Sequence, residues 1–258
     1  MSYQFIQVDA GDHITTITIN RPEVMNALHP PANEELGRAF DAYGADGDAW
    51  VAIVTGAGNQ AFSAGNDLKV AASGEKFDLQ WNGGFGGITD RHDLYKPVIA
   101  AVNGVALGGG FEIALACDII IASESATFGL PEPRVGFVAA AGGMHRLVRM
   151  IPQKIAMGMM LRGKPIDAGE AFRLGLVNQV VPADALMETA RGYAREIMEC
   201  APISVRLSKQ AALANLHLPI QEAMHTPVPL MEVWRDSHDL REGPLAFAEK
   251  RKPHWQGR

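Results

Sequence analysis

Apolar and polar residues alternate at the start of the chain. Phe5-Ile6-Gln7-Val8, a turn at Ala10-Gly11-Asp12, and threonines set between isoleucines from Ile14 to Ile19 predict a β-hairpin. Asn20-Arg21-Pro22 ends the second strand. The period then changes: Leu36, Ala39, Phe40 and Tyr43 fall at i, i+3, i+4 and i+7, one apolar stripe of a helix over Pro31 to Tyr43. Val51-Ala52-Ile53-Val54-Thr55 follows as a buried strand. The order partly repeats with a strand at Val98-Ile99-Ala100-Ala101-Val102, a helix from Gly109 to Cys117, a strand at Ile119-Ile120-Ile121-Ala122 and a short extended piece at Ala126-Thr127-Phe128-Gly129. Strands alternating with helices predict an α/β fold. Beyond Val180-Val181-Pro182 the strand signal disappears. Leu186, Ala190, Tyr193 and Ile197 mark one amphipathic helix and Val205 to Leu216 another, so the last third is expected to be helical. Between Lys69 and Gly87, small and polar residues lead into Trp81-Asn82-Gly83-Gly84-Phe85-Gly86-Gly87. A long irregular segment of this kind is expected to cover a substrate.

Composition narrows the class. With 258 residues, 47% hydrophobic and 20% charged, the chain is long enough for one large globular domain, or a main domain with an appendage. A net charge of −6 argues against nucleic acid as a partner, which calls for a basic face. Cys117 and Cys200 form no disulfide framework and no metal-ligand spacing. The start Met1-Ser2-Tyr3-Gln4-Phe5 has no basic region followed by an apolar block, and the apolar stretch from Pro97 to Phe111 is too short to span a bilayer. The expectation is a cytoplasmic protein without a membrane partner.

The chemistry centres on Gly108-Gly109-Gly110-Phe111-Glu112, set in an aliphatic run, and on a second glutamate in Leu130-Pro131-Glu132-Pro133. An ionised carboxylate is costly to bury without a partner. At a helix start the backbone N–H groups lack intrahelical partners, and glycines let a ligand approach them. The segment offers an oxyanion site and a carboxylate within one turn. The alternative is close packing of the glycines with Glu112 paired to a neighbouring Arg or Lys.

Four ordered motifs carry a resemblance. They are Ile19-Asn20-Arg21-Pro22-Glu23-Val24-Met25-Asn26-Ala27-Leu28; Ala61-Phe62-Ser63-Ala64-Gly65-Asn66-Asp67-Leu68-Lys69; Ala100 through Glu112; and Phe128-Gly129-Leu130-Pro131-Glu132. Together with the tail Glu242 to Arg251, the sequence resembles the enoyl-CoA hydratase/isomerase (crotonase) superfamily over essentially its whole length, and within it the crotonobetainyl-CoA (carnitinyl-CoA) hydratases. The resemblance implies a crotonase-like spiral of ββα repeats over residues 1–200, bearing the active site. Residues 201–258 would be a helical trimerisation region in a homotrimer or a dimer of trimers. It implies that the N–H groups of Asn66 and Gly109 hold the thioester oxygen, with Gly110 in the same helix start. Glu132 would protonate C2, and Glu112 would activate water. Val24, Met25, Ala64, Asp67, Leu68 and Lys69 would lie along the CoA moiety of an acyl-CoA thioester. Phe247 and Lys250 would close over its nucleotide end, often in a neighbouring subunit. No metal or redox cofactor is implied, since coenzyme A enters with the substrate.

Two departures stand out. Ala139-Ala140-Ala141-Gly142-Gly143 replaces the usual Pro-Gly-Ala-Gly-Gly, at a point where the Ala140 N–H would help hold the water. Glu23 stands where Lys or Arg commonly faces the CoA phosphates. Other readings carry less. Isomerisation needs only a glutamate at Glu132. Ser63 lies in no nucleophile elbow. His92 and His145 are isolated, a pattern typical of surface or packing residues, and a binding-only or RNA-associating role fits poorly with the acidic balance and the glutamate pair. Trp81, Phe85, Phe111, Phe137 and Met144 are candidates for an acyl pocket, although bulky apolar residues are core by default.

Overall fold

The computed structural model describes residues 2–72 and 81–258. Strands Ile6–Gly11 (β1) and Ile14–Ile19 (β2) form the expected hairpin, with Ile6 opposite Ile19. Its turn falls on Asp12 and His13, at φ 49° and 62°, and not on Ala10-Gly11-Asp12. With both central residues left-handed the turn is of the type I′ kind, whose twist matches that of the strands, and Gly11 stays paired within β1, opposite Ile14. Helix Pro30–Ala45 (α1) opens on two prolines and buries the stripe of Leu36, Ala39, Phe40 and Tyr43.

The chain then repeats one unit: a strand for a large sheet, a strand for a small sheet, then helix. Val51–Gly56 (β3) and Ala61–Ser63 (β4) precede the short helix Leu68–Ala71 (α2). Val98–Val102 (β5) and Val105–Leu107 (β6) precede Gly109–Ala116 (α3). Ile119–Ser123 (β7) and Thr127–Gly129 (β8) precede Gly143–Met150 (α4) and Gln153–Arg162 (α5). Ile166–Asp167 (β9), Ala168–Arg173 (α6) and Gln179–Val181 (β10) complete the core. Among the described residues the large sheet runs β1-β2-β3-β5-β7-β10, parallel from β2 onward, and the small sheet runs β4-β6-β8-β9.

Both faces of the large sheet are covered, which explains why β3, β5 and β7 read as continuous apolar runs. Alternate residues divide between two cores. Ala52, Val54, Val98, Ala100 and Val102 face the main core with α1, whereas Val51, Ile53, Ile99, Ala101 and Ile121 pack against Leu186, Ala190 and Ala194 of helix Leu186–Met198 (α7).

Four helices follow: Pro202–Ala214 (α8), Ile220–Ala223 (α9), Leu230–Arg235 (α10) and His238–Ala248 (α11). Lys209 of α8 donates to the Lys96 carbonyl (3.0 Å) and pairs with Asp118 (2.7 Å), which anchors this region to the core. The tail folds back, with Trp255 donating to the Glu199 carbonyl at 2.8 Å and Arg251 clasping both oxygens of Glu242. Among the described residues, no helix is long and apolar enough to cross a membrane.

Candidate active site

β4, β6 and β8 run parallel, so their C-terminal ends share one edge of the small sheet. Asn66 follows β4, Gly109 and Glu112 follow β6, and Glu132 follows β8. This edge is where open α/β sheets characteristically present ligand sites. A cavity of about 850 Å³ opens there, lined by Ala64, Asn66, Leu68, Gly109, Glu112 and Glu132 among others.

Buried polar contacts bring the loops together. The Ser63 hydroxyl donates to the Asn26 carbonyl (2.8 Å) and accepts from the Gly65 N–H (3.1 Å), so Ser63 braces a turn. Gly65 adopts φ +88°, and a Cβ there would lie 2.7 Å from both the Gly109 nitrogen and the Leu107 carbonyl oxygen. Only glycine allows the β4 and β6 ends to approach so closely. Among the described residues, neither the Asn66 nor the Gly109 N–H donates to a protein acceptor. Gly108 sits at φ 54°, ψ −129°, a conformation closed to side chains, and a Cβ there would come within 3.2 Å of the Glu132 Oε1.

Glu112 lies in the first turn of α3 and is 3% exposed, and its Oε1 accepts from the Gly143 N–H at 2.8 Å. Burial pushes its carboxyl up to about 7. The Gly143 N–H counteracts this, the Glu132 charge adds to it, and the Ala141 N–H and Arg146 also favour the ionised form. Burial likewise raises Glu132, and its Oε2 is buried without a hydrogen-bond partner among the described residues. Two carboxyls raised above the usual carboxylate range beside two unused N–H donors can exchange protons with a bound molecule whose oxygen takes up negative charge.

The other predicted residues divide. Ala64, Leu68 and Ala140 line the cavity, but the Ala140 N–H donates to the Val138 carbonyl at 2.8 Å. The water-holding donor expected at Ala140 is therefore engaged in a tight turn, and Gly143 provides the N–H that meets Glu112. Asp67 is buried, pairs with Arg21 at 3.1 Å and caps α2, so it braces the loop rather than lining the cavity. Gly110 is a packing residue, because a Cβ there would strike the Ser63 carbonyl at 2.0 Å. Val24, Met25 and Lys69 lie outside the cavity lining, as do Phe247 and Lys250 at the exposed end of α11. Glu23 is exposed.

Trp81, Phe85 and Phe137 line the cavity, whereas Phe111 is wholly buried in the core and Met144 is absent from the lining. Of the expected substrate-covering segment, residues 73–80 lie outside the described residues. Its glycine-rich end is a fixed wall, with Phe85 to Gly87 buried and the Gly86 N–H donating to Asn33 at 2.7 Å. His92 and His145, read from sequence as surface or packing residues, are both exposed and both line the cavity, with His92 beside Asp90 (2.9 Å). Thr89, Asp90, Arg146 and Arg149 also reach it without having been singled out in the sequence. Arg146 had one signal, its place one turn after Gly142-Gly143.

A spiral of strand–strand–helix repeats that gathers its loops at the edge of a small parallel sheet is the architecture of crotonase-fold proteins. The comparisons agree. Residues 9–258 match the family described as enoyl-CoA hydratase/isomerase. Carnitinyl-CoA dehydratases of Citrobacter koseri and Salmonella typhi are each 44% identical over 95% of this chain and 95% of their own. Among solved structures, an enoyl-CoA hydratase of Mycobacterium marinum superposes with a TM-score of 0.92 at 38% identity, covering 98% of this chain and 99% of that one. An enoyl-CoA hydratase of Bacillus anthracis gives 0.90 at 37% identity, covering 99% and 100%. The chain belongs to the enoyl-CoA hydratase/isomerase family.

Proposed function

We propose that this protein adds water reversibly across the 2,3 double bond of an enoyl-CoA thioester. The observation that carries the reading is the meeting of two raised carboxyls, Glu112 buried and Glu132 half-buried, with two backbone N–H groups unused among the described residues, at one sheet edge. In this reading the N–H groups of Asn66 and Gly109 stabilise the charge that builds on the thioester oxygen. Glu112, fixed by Gly143, takes the proton of the attacking water, and Glu132 delivers a proton to C2. Because the two carboxyls are coupled, the roles belong to the pair.

A carnitinyl-CoA substrate, run in the dehydrating direction, is the second reading. The 44% identical relatives favour it, and the cavity supplies the aromatic rings of Trp81 and Phe85 and the carboxylate of Asp90, groups suited to a cationic acyl end. Assembly as a homotrimer or a dimer of trimers is part of the proposal. Phe247, 87% exposed beside the exposed Lys250 and outside the lining of its own cavity, supports closure over a neighbour's CoA. A fully active species of 27.7 kDa in solution would overturn that part.

A panel of acyl-CoA thioesters differing in length, branching and charge, assayed for water addition and loss, tests the reaction. Glu112→Gln and Glu132→Gln should each leave CoA-thioester binding nearly intact and lower turnover by about 10²-fold or more. The double variant should cost much less than the product of the two, as for groups acting together. Near-normal hydration by Glu132→Gln would sink the mechanism, and double-bond migration that survives Glu112→Gln would favour an isomerase.

A further inference from the structure

We infer that Arg146 is a positioning residue for this reaction: its guanidinium ties the Thr89 turn to α4, the helix whose first residue, Gly143, holds Glu112, and so brings a positive charge to that wall of the cavity. The inference rests on the hydration reading for its kinetic consequence, but its geometry stands apart from it.

Arg146 lies one turn beyond Gly143, the residue whose N–H holds Glu112. Its Nη2 donates to the Thr89 carbonyl at 2.9 Å, which joins two cavity walls 57 residues apart in sequence. Two successive glycines make room for the two charged groups. A Cβ on Gly142, at φ +102°, would fall 2.0 Å from the Arg146 Nη1, and one on Gly143 would fall 3.0 Å from the Glu112 Oε1. The tight Ala140 turn immediately before them lines the same cavity. Among the described residues Arg146 is the one cationic side chain acting on Glu112, against the Glu132 charge and alongside the Gly143 and Ala141 N–H groups. Glu112 and Asp90 face Arg146 in turn, and the nearby Cys117 thiol is raised by burial and stays uncharged.

With Glu112 held near 7, the fraction present as carboxylate changes steeply around neutral pH. A neighbouring cation keeps the water-activating form populated. Removing it should move the acid limb of the rate profile upward, because the base must then be freed of its proton at higher pH.

The test is the pH–rate profile of hydration for wild type, Arg146→Gln and Arg146→Lys, with Glu112→Gln used to assign the limb. In Arg146→Gln the acid limb of kcat should move to higher pH, with the loss of rate confined to pH values below the limb. The high-pH plateau should persist and KM should change little. Arg146→Lys, which keeps the charge but not the planar fork, should restore most of the limb. A uniform loss at every pH with an unmoved limb would overturn the inference in favour of a purely structural role. Carboxyl titration followed by carbon NMR in wild type and both variants gives a readout free of activity. If no thioester is hydrated, the hydration reading fails, while an upward displacement of the Glu112 titration in Arg146→Gln still supports the charge role and an unchanged one refutes it. Should Arg146→Gln not fold, a Glu112 titration in Arg146→Lys displaced as far as loss of the charge predicts would refute the role, and one close to wild type would support it.

Discussion

The large sheet with α7 and the C-terminal edge of the small sheet are built on opposite terms. In the first, Ile53, Ile99 and Ile121 meet Leu186, Ala190 and Ala194 in an interface of aliphatic side chains, and β3, β5 and β7, which carry those isoleucines, run five or six residues. In the second, β4, β6 and β8 are three residues each, Gly65 and Gly108 hold conformations that side chains avoid, and a buried and a half-buried carboxyl meet, one of their oxygens unpartnered among the described residues. One region lowers the free energy of the fold, and the other raises it where the proposed proton transfer would take place. Strained and desolvated groups persist only when a surrounding structure holds them.

Three changes would break or sharpen that contrast. The largest effect is expected from Gly108→Ala, which forces a side chain into φ 54°, ψ −129° and crowds the Glu132 Oε1. Turnover should fall by about 10²-fold, with stability lowered by about 1–3 kcal/mol. Stopped assays and thermal unfolding on one preparation measure both, and an unaffected kcat would show that the Gly108 conformation is not needed. Next, Ile53→Ala should cost about 2–5 kcal/mol of stability by opening a cavity against α7. Turnover per folded molecule should not change, and a matching loss of kcat would join the two regions that the comparison separates.

The smallest effect is a pH dependence. Glu112 is raised in the folded state to about 7, so the folded protein holds a proton there that the unfolded chain, with a carboxyl near 4.5, has released. Its burial therefore costs most above pH 7 and progressively less as pH falls from 7 toward 4.5, by roughly 3 kcal/mol across the window. Denaturant titrations of wild type and Glu112→Gln should diverge with rising pH, the variant being the more stable at pH 8. Parallel curves would mean that the site imposes no such penalty.

Legibility in the sequence follows the same division. Where stability depends on burial, period and run length reveal it: the stripe of α1, the runs of β3, β5 and β7, and α7 all fall close to where the pattern places them. The small sheet left less trace: Ala126 to Gly129 reads as a short extended piece and is β8, but three residues cannot show an alternation, and Val105–Leu107 reads only as an aliphatic approach to Glu112. Helices α4 and α5 also lie outside the elements that the pattern predicts. At the site, residues that break the pattern were legible, namely Glu112, Glu132, Gly109 and the turn at Asn66. Arg146 and Thr89 were not, since their contact depends on two segments 57 residues apart being folded against one another. The Ala140 N–H shows the limit of a matched motif: its position is retained while its hydrogen bond goes to Val138.

The near-contact of Gly65 with Gly109 has a consequence for how such a protein can be rewritten. The two N–H groups beside the cavity belong to the main chain and are set by how the β4 and β6 ends abut, so no side chain carries them. Replacing either carboxylate therefore leaves that anchor in place for whatever reagent is installed next. On the proposed mechanism the scaffold separates a permanent socket, written in backbone, from interchangeable tools at positions 112 and 132, and a new chemistry could be grafted one residue at a time without redesigning the frame.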